Sequence, residues 1–339
     1  MVKRASYRLA QTAPRAVFSA LDLGTNNCRL LIARPTPRGF RIIDAFSRVV
    51  RLGEGVSRSG QLSPAAMDRA IEALSICARK IERRQVTCLR SVATEACRSA
   101  ANCASFVDRV KGETGLNLDV ITPAEEARLA VLGCQALMDP AMPYALVFDI
   151  GGGSTELIFV ERRGRDYRIL AWTSIPWGVV NLSEAYDGLH ITPQRYGELQ
   201  AFLADYFDPF EAQHRFGDKV QAGQVQLLGT SGTVTTLASL YLGLPGYNRR
   251  QVDGLWMARS ELMRIAEQVV SMTYQERCDH PCIGTDRADL VVAGCAILEQ
   301  ILTLWPSARL RVADRGIREG ILRALMGQGD RVHLPLPKG

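Results

Sequence analysis

The chain has 339 residues, 47% hydrophobic and 22% charged, with a net charge of +6. That is long enough for two domains with sizeable cores, and the composition is that of an ordinary globular protein, neither collagen-like nor disordered. No apolar run reaches the roughly 18 residues of a membrane span, so no membrane partner is expected. No Lys/Arg block interleaves with aromatics, so nucleic acid is not an expected partner either. Residues 1–14 carry Lys3, Arg4 and Arg8 without the apolar segment of a secretory signal. They read as a flexible tail, as do residues 329–339. The nine cysteines form no spaced framework and suggest a reducing, cytoplasmic setting. Cys278-x-His280-x-Cys282 lacks the second ligand pair of a zinc site.

The first element is a strand, Val17 to Leu21, running into Asp22-Leu23-Gly24-Thr25-Asn26 and out along Arg29 to Ala33. A turn at Pro35 to Gly39 and an extended run Phe40 to Phe46 follow. Ser63 then caps a helix whose first turn holds Pro64, with apolar residues at Ala66, Ala70, Ile71, Leu74 and Ala78. A β stretch from Val86 ends in Ala93-Thr94-Glu95-Ala96-Cys97-Arg98. Next come a helix over 101–114, a strand over 118–121, and a helix start at Thr122-Pro123-Ala124-Glu125-Glu126.

The same order then recurs. Ala145 to Phe148 runs into Asp149-Ile150-Gly151-Gly152-Gly153-Ser154-Thr155 and out along Glu156 to Val160. A turn at Arg162 to Asp166, an extended run Tyr167 to Trp172 and helices over about 181–210 follow. A β stretch Val225 to Leu228 ends in Gly229-Thr230-Ser231-Gly232-Thr233. Thr94 and Thr230 lie at similar spacings from the two aspartates. The chain therefore reads as an α/β duplication of two mixed sheets covered by helices, over 15–140 and 141–328, with the last helix packing back on the first domain. A cleft between the halves would gather both loops.

A carboxylate beside a glycine turn supplies what a metal–phosphate site needs: backbone N–H groups for the anion and an oxygen for the cation. The glycines at 151–153 lead into a strand. A dinucleotide fingerprint or a P-loop requires a helix there, so no organic cofactor is expected.

These stretches together resemble the exopolyphosphatase and guanosine pentaphosphate phosphohydrolase family, a branch of the actin-like (ribonuclease H-like) ATPase and sugar-kinase superfamily. The matches are Asp22 to Asn26, Ala93 to Arg98 with Asn102, Glu125 to Leu129, and Phe148 to Glu156. Further along they are Trp177 to Glu184, Gly229 to Thr233, Arg287-Ala288-Asp289 with Gly294, and Arg315 to Leu322. The resemblance implies hydrolysis of a terminal phosphate by water, with Mg²⁺ as the metal and Mn²⁺ as its substitute.

It implies Glu126 as general base and Glu156 as a second acidic residue that orients water or metal. Read alone, Glu126 would be a solvated first-turn glutamate. Asp149 is implied as the magnesium-linked carboxylate, with Asp22 as its first-loop counterpart. Gly24, Thr25, Asn26, Gly151, Gly152, Gly153, Ser154 and Thr155 would face the phosphates. Arg98 would pair with phosphate oxygens, and Arg287 with an anion. Gly229 to Thr233 is open between a nucleotide contact, a phosphate contact and a tight strand-to-helix turn, with the turn favoured.

Two positions depart from the family pattern: Asn27 in place of Ser, and Asp253 in place of His. The chain resembles the short, two-domain members, from which a homodimer and a preference for short polyphosphate are expected. The alternatives are a guanosine penta- or tetraphosphate substrate, a kinase on the same fold, and a non-catalytic alarmone sensor.

Overall fold

The computed structural model describes residues 16–37, 39–186, 188–328 and 332–334. The two expected tails, 1–14 and 329–339, lie almost wholly outside these. By its internal contacts the chain divides into two units. Among the described residues, one holds those up to Cys134 together with 316–328 and 332–333, and the other holds those from Gln135 to Arg315.

The first unit opens with β1 (Phe18–Leu23), β2 (Asn27–Thr36) and β3 (Gly39–Val49). Then come α1 (Pro64–Arg83), β4 (Cys88–Ala93), the short α2 (Glu95–Ser99), α3 (Cys103–Thr114), β5 (Leu118–Val120) and α4 (Pro123–Cys134). Its sheet runs β3-β2-β1-β4-β5. β1 pairs antiparallel with β2 and parallel with β4. The cap expected at Ser63 is present: its hydroxyl accepts from the Ala66 N–H, and Pro64 stands in the first turn.

Successive side chains of a strand point to opposite faces, and here both faces are covered. Leu21, Leu23, Leu30 and Ile32 join a core with Ala70, Leu74 and Phe106 from α1 and α3. Phe18, Ala20, Leu31 and Ala33 join another with Leu129 of α4 and with Ile317, Ile321 and Leu322. Double coverage is why β1 and β2 read as nearly unbroken apolar runs.

The second unit begins with β6 (Tyr144–Ile150), β7 (Thr155–Arg163) and β8 (Asp166–Ile175). The helices expected over about 181–210 are α5 (Val179–Tyr186) and α6 (Pro193–His214). Thr192 caps the second, and Pro193 sits in its first turn, where its missing N–H costs nothing. Then follow β9 (Val225–Ser231), α7 (Gly232–Tyr241), β10 (Trp256–Ala258), α8 (Arg259–Ser271), α9 (Val291–Leu304) and β11 (Arg309–Ala313). The strands of this unit lie in the order β10-β11-β9-β6-β7-β8. After them α10 (Ile317–Arg323) belongs to the first unit, where it packs on α4.

The duplication is now visible in the register. β6 pairs antiparallel with β7 and parallel with β9, as β1 does with β2 and β4. β2 and β7 carry a bulge at the same count from the aspartate, after Ile32 and after Phe159. One equivalence read from spacing is corrected. Asp22 stands opposite Val92 and Asp149 opposite Thr230, so the counterpart of Thr230 is Val92, two residues before Thr94. The crossovers differ in length, and only pairing fixes the alignment.

Candidate functional site

The two glycine turns are built alike. The Gly24 N–H donates to the Asn27 carbonyl and the Gly151 N–H to the Ser154 carbonyl, each at 2.9 Å. The turns' own carbonyls are drawn into the fold. Thr25 O accepts from Gly53 N, and Asn26 O from Val50 N and Arg51 N. In the second turn, Gly151 O and Gly152 O accept from Val179 N and Val180 N, while Asn181 Nδ2 donates to Gly153 O. This close approach requires Gly178, because a Cβ there would lie 2.6 Å from the Gly152 carbonyl carbon. Among the described residues the N–H groups of Thr25, Asn26, Gly152 and Gly153 have no acceptor. Each turn thus offers successive amide protons, the geometry of an anion nest.

Asp22 and Asp149, read as loop residues, instead stand on the ends of β1 and β6, opposite Arg29 and Glu156 respectively. Strand placement fixes their direction more tightly than a loop would. Asp22 Oδ1 is buried without a hydrogen-bond partner among the described residues, and so is Asn26 Oδ1. Burial pushes the Asp22 carboxyl above its ordinary value, partly offset by Arg29 and Arg318. Glu156 is buried, and both Ser154 and Ser174 donate to its Oε1, at 2.7 and 2.9 Å. The Thr155 hydroxyl donates to the Trp177 carbonyl. The side-chain hydroxyls of Ser154 and Thr155 therefore have protein partners, and the turn presents its backbone.

Glu126 lies in the first turn of α4 with its side chain only 8% exposed, so the solvated reading does not describe it. Arg98 Nη1 bonds Glu126 Oε2 at 2.7 Å and the Ile121 carbonyl at 2.9 Å. The other side of the same guanidinium, Nε and Nη2, bonds Glu95 Oε2 at 3.1 and 2.8 Å. Ser99 donates to the remaining Glu95 oxygen. Arg98 is thus no loose surface arginine: the described residues use four of its five N–H groups, leaving one on Nη2. Adjacent Glu125 faces elsewhere, held by Arg90 and Arg128. Burial raises its carboxyl, but the bonds from Arg128 and Arg90 outweigh this and hold it below its ordinary value.

Arg287 belongs to a separate group, donating to Thr236 Oγ1 on α7 at 2.8 Å. Gly229, Thr230 and Ser231 are the end of β9, and the Ser231 hydroxyl caps α7 by accepting from the Val234 N–H. A Cβ on Gly229 would meet the Phe148 ring at 2.6 Å. Both features account for this segment as a strand-to-helix junction. Asp253, at a family-variant position, pairs with Arg315 at 2.8 Å. All nine cysteines are free thiols. Among the described residues no group of three or more His, Cys, Asp and Glu gathers as a metal cage.

Sequence reasoning passed over Glu95, Ser174 and Asn181. Glu95 and Asn181 lie inside the quoted motifs but were assigned no role. Ser174 leaves no sequence signal, since it meets Glu156 only through β7–β8 pairing.

Paired sheets, each carrying an aspartate at a strand end before a glycine nest, define the actin-like class of fold. The chain belongs to the Ppx/GppA phosphatase family, whose model matches residues 31–328. It is 28% identical to exopolyphosphatase 2 of Mycobacterium tuberculosis, over 91% of this chain and 98% of that one. It is 27% identical to the guanosine-5'-triphosphate,3'-diphosphate pyrophosphatase of Photobacterium profundum, covering 92% of this chain but only 60% of that protein. An exopolyphosphatase crystal structure from Cytophaga hutchinsonii matches with a TM-score of 0.81 and 25% identity, over 92% of this chain and 98% of that one. The Aquifex aeolicus family member matches with a TM-score of 0.73 and 28% identity, over 91% and 97%. No helix among the described residues is long and apolar enough to cross a membrane.

Proposed function

We propose that this protein is an exopolyphosphatase that removes terminal orthophosphate from short inorganic polyphosphate. The observation that carries the reading is the buried, arginine-held Glu126 in the unit whose first turn offers free amide protons. Burying a carboxylate is costly unless it is paired, and buried, charge-paired acids of this kind cluster at functional sites. In the reaction, a water oxygen attacks the terminal phosphorus, the bridging P–O bond breaks, and the chain leaves one phosphate shorter. Glu126 takes the proton from that water. Arg98 offers its remaining Nη2 proton to a phosphoryl oxygen, and Thr25 and Asn26 of the same unit offer their amides; Gly152 and Gly153 give the second unit a turn of the same kind. Glu156, held by two serines, orients water.

The residues fit a divalent cation. Asp22 Oδ1 is a buried oxygen without a partner among the described residues, and Mg²⁺ takes only one or two carboxylates from a protein. Asp22 would hold Mg²⁺, or Mn²⁺ in its place, and Asp149 is the matching carboxylate of the second unit. When bound it neutralises charge on the phosphoryl oxygens.

The relative that this chain spans almost end to end carries the name exopolyphosphatase, which favours polyphosphate. Guanosine pentaphosphate is the second reading, favoured by the similar identity to the pyrophosphatase. Phosphate release from short polyphosphate, long polyphosphate and guanosine pentaphosphate decides between them. Glu126→Gln is expected to lower turnover on the true substrate at least about a hundredfold with the fold intact. Full activity in that variant would end the general-base assignment, and equal turnover on short and long chains would end the short-chain preference.

A further inference from the structure

We infer that Asn181 is a positioning residue for the second glycine turn: its side-chain amide holds the Gly153 carbonyl and thereby aims the Ser154 N–H at bound phosphate. This rests on the reading of that turn as a phosphate nest, and every residue involved lies in the second unit. The N–H groups of Gly152 and Gly153 have no acceptor among the described residues, and neither has that of Ser154. Where each points is set by the carbonyl before it. In a planar trans peptide the C=O of one residue and the N–H of the next lie antiparallel, and no peptide here is cis. Gly151 O accepts from Val179 N at 3.0 Å, which fixes the Gly152 N–H. Gly152 O accepts from Val180 N at 2.7 Å, which fixes the Gly153 N–H. Both donors are backbone groups of α5. The third carbonyl, Gly153 O, takes a side chain instead, Asn181 Nδ2 at 3.1 Å.

Asn181 is itself held from two further directions. Its Nδ2 also donates to the Pro176 carbonyl at 3.0 Å, and its Oδ1 accepts from the Gly178 N–H at 2.7 Å. The latter bond closes the start of α5, as a third-residue side chain does in a capping box. Only an amide serves both ends: aspartate keeps the acceptor for Gly178 but has no donor for Gly153 or Pro176, and alanine has neither. Among the described residues no other group donates to Gly153 O. The glycines on the N-terminal side of this peptide resist rotation little, so without Asn181 nothing fixes its plane. A nest binds an anion through successive N–H groups that converge. Turning the last one aside removes a hydrogen bond to a charged acceptor, the stronger kind.

The test follows the amide resonances of Gly152, Gly153 and Ser154 in protein carrying isotope-labelled glycine and serine. Imidodiphosphate, whose bridging N–H resists hydrolysis, is added with Mg²⁺ to the wild type, Asn181→Ala and Asn181→Asp, with thermal unfolding and phosphate release from short polyphosphate alongside. In the wild type all three resonances should move. In Asn181→Ala the Ser154 response should be largely lost while that of Gly152 persists, because α5 still fixes its peptide through the backbone. Imidodiphosphate should then bind about tenfold more weakly, with KM raised by a similar factor and kcat within about twofold. Asn181→Asp should melt close to the wild type, since the bond from Gly178 remains, and should lose the Ser154 response as well. A side chain that only caps α5 would lower the melting temperature of Asn181→Ala and leave the Ser154 response and KM in place, overturning the proposal. So would losses confined to Asn181→Asp, which charge repulsion alone explains. If the wild type moves and Asn181→Ala matches it, the positioning role alone is wrong. If none of the three resonances moves in the wild type, the phosphate reading of the turn fails and takes the positioning role with it.

Discussion

Replacing Gly320 by alanine is expected to destabilise the protein, although alanine is the better helix former by about 1 kcal/mol. Gly320 lies in α10, against α4, the helix that carries Glu126. A Cβ there would overlap the Leu129 carbonyl oxygen and stand 2.8 Å from its carbon and 3.0 Å from its Cα. Relaxed carbon contacts need roughly 3.5–4.0 Å. The helices would have to part by on the order of an ångström, loosening Leu129, Ile317, Ile321 and Leu322 over β1 and β2. Tilting offers no escape, because Gly133 makes the reciprocal contact with the backbone of Gly316. Overpacking typically costs about 1–3 kcal/mol. Contacts this short against backbone atoms belong in the upper part of that range, so net of the helix gain about 1–2 kcal/mol should be lost, a fall in melting temperature of roughly 1–3 °C for a protein of this size. Gly133→Ala should behave alike, and the double variant should fall short of additive because either substitution already separates the helices. Calorimetric unfolding measures all three. An unchanged or raised melting temperature in Gly320→Ala would refute the close-packing argument.

Asp22→Asn should stabilise the chelator-treated protein near neutral pH while impairing phosphate release. The folded carboxyl ionises above its ordinary value of 3.8 because it is buried. A raised acid contributes most to stability below 3.8, and that contribution is lost as pH rises through the folded pKa. The variant should thus gain on the wild type across that window and stay ahead above it; urea unfolding at stepped pH in EDTA checks this, and a wild type more stable at neutral pH would contradict it. Ser63→Ala should cost about 1 kcal/mol by leaving the Ala66 N–H uncapped, read as a lower urea midpoint with unchanged slope.

Much of the fold was legible because its signals are local. Apolar runs ending in Asp-x-Gly marked both strand–turn–strand units, and Ser63-Pro64 marked a helix start. What escaped depended on partners remote in sequence. Glu126 reads as a solvated first-turn acid until Arg98 arrives from α2 to bury it. Ser154 and Thr155 look like phosphate-facing hydroxyls until Glu156 and Trp177 accept from them. Matching Thr94 with Thr230 by count failed because spacing along a crossover says nothing of register.

The amino-acid order alone determined the doubled α/β plan and the glycine turns, since each follows from side-chain type and spacing within a few residues; the roles of Glu126 and Arg98 came from the family resemblance. Tertiary structure decided which acid is buried, which arginine holds it, and where the last helix lies. The apolar spacing of Ile317, Ile321 and Leu322 announces only that one face must leave water. That this face covers β1 and β2, some three hundred residues earlier in the chain, follows from the backbone contacts at Gly133 and Gly320, which exist only when the two helices meet.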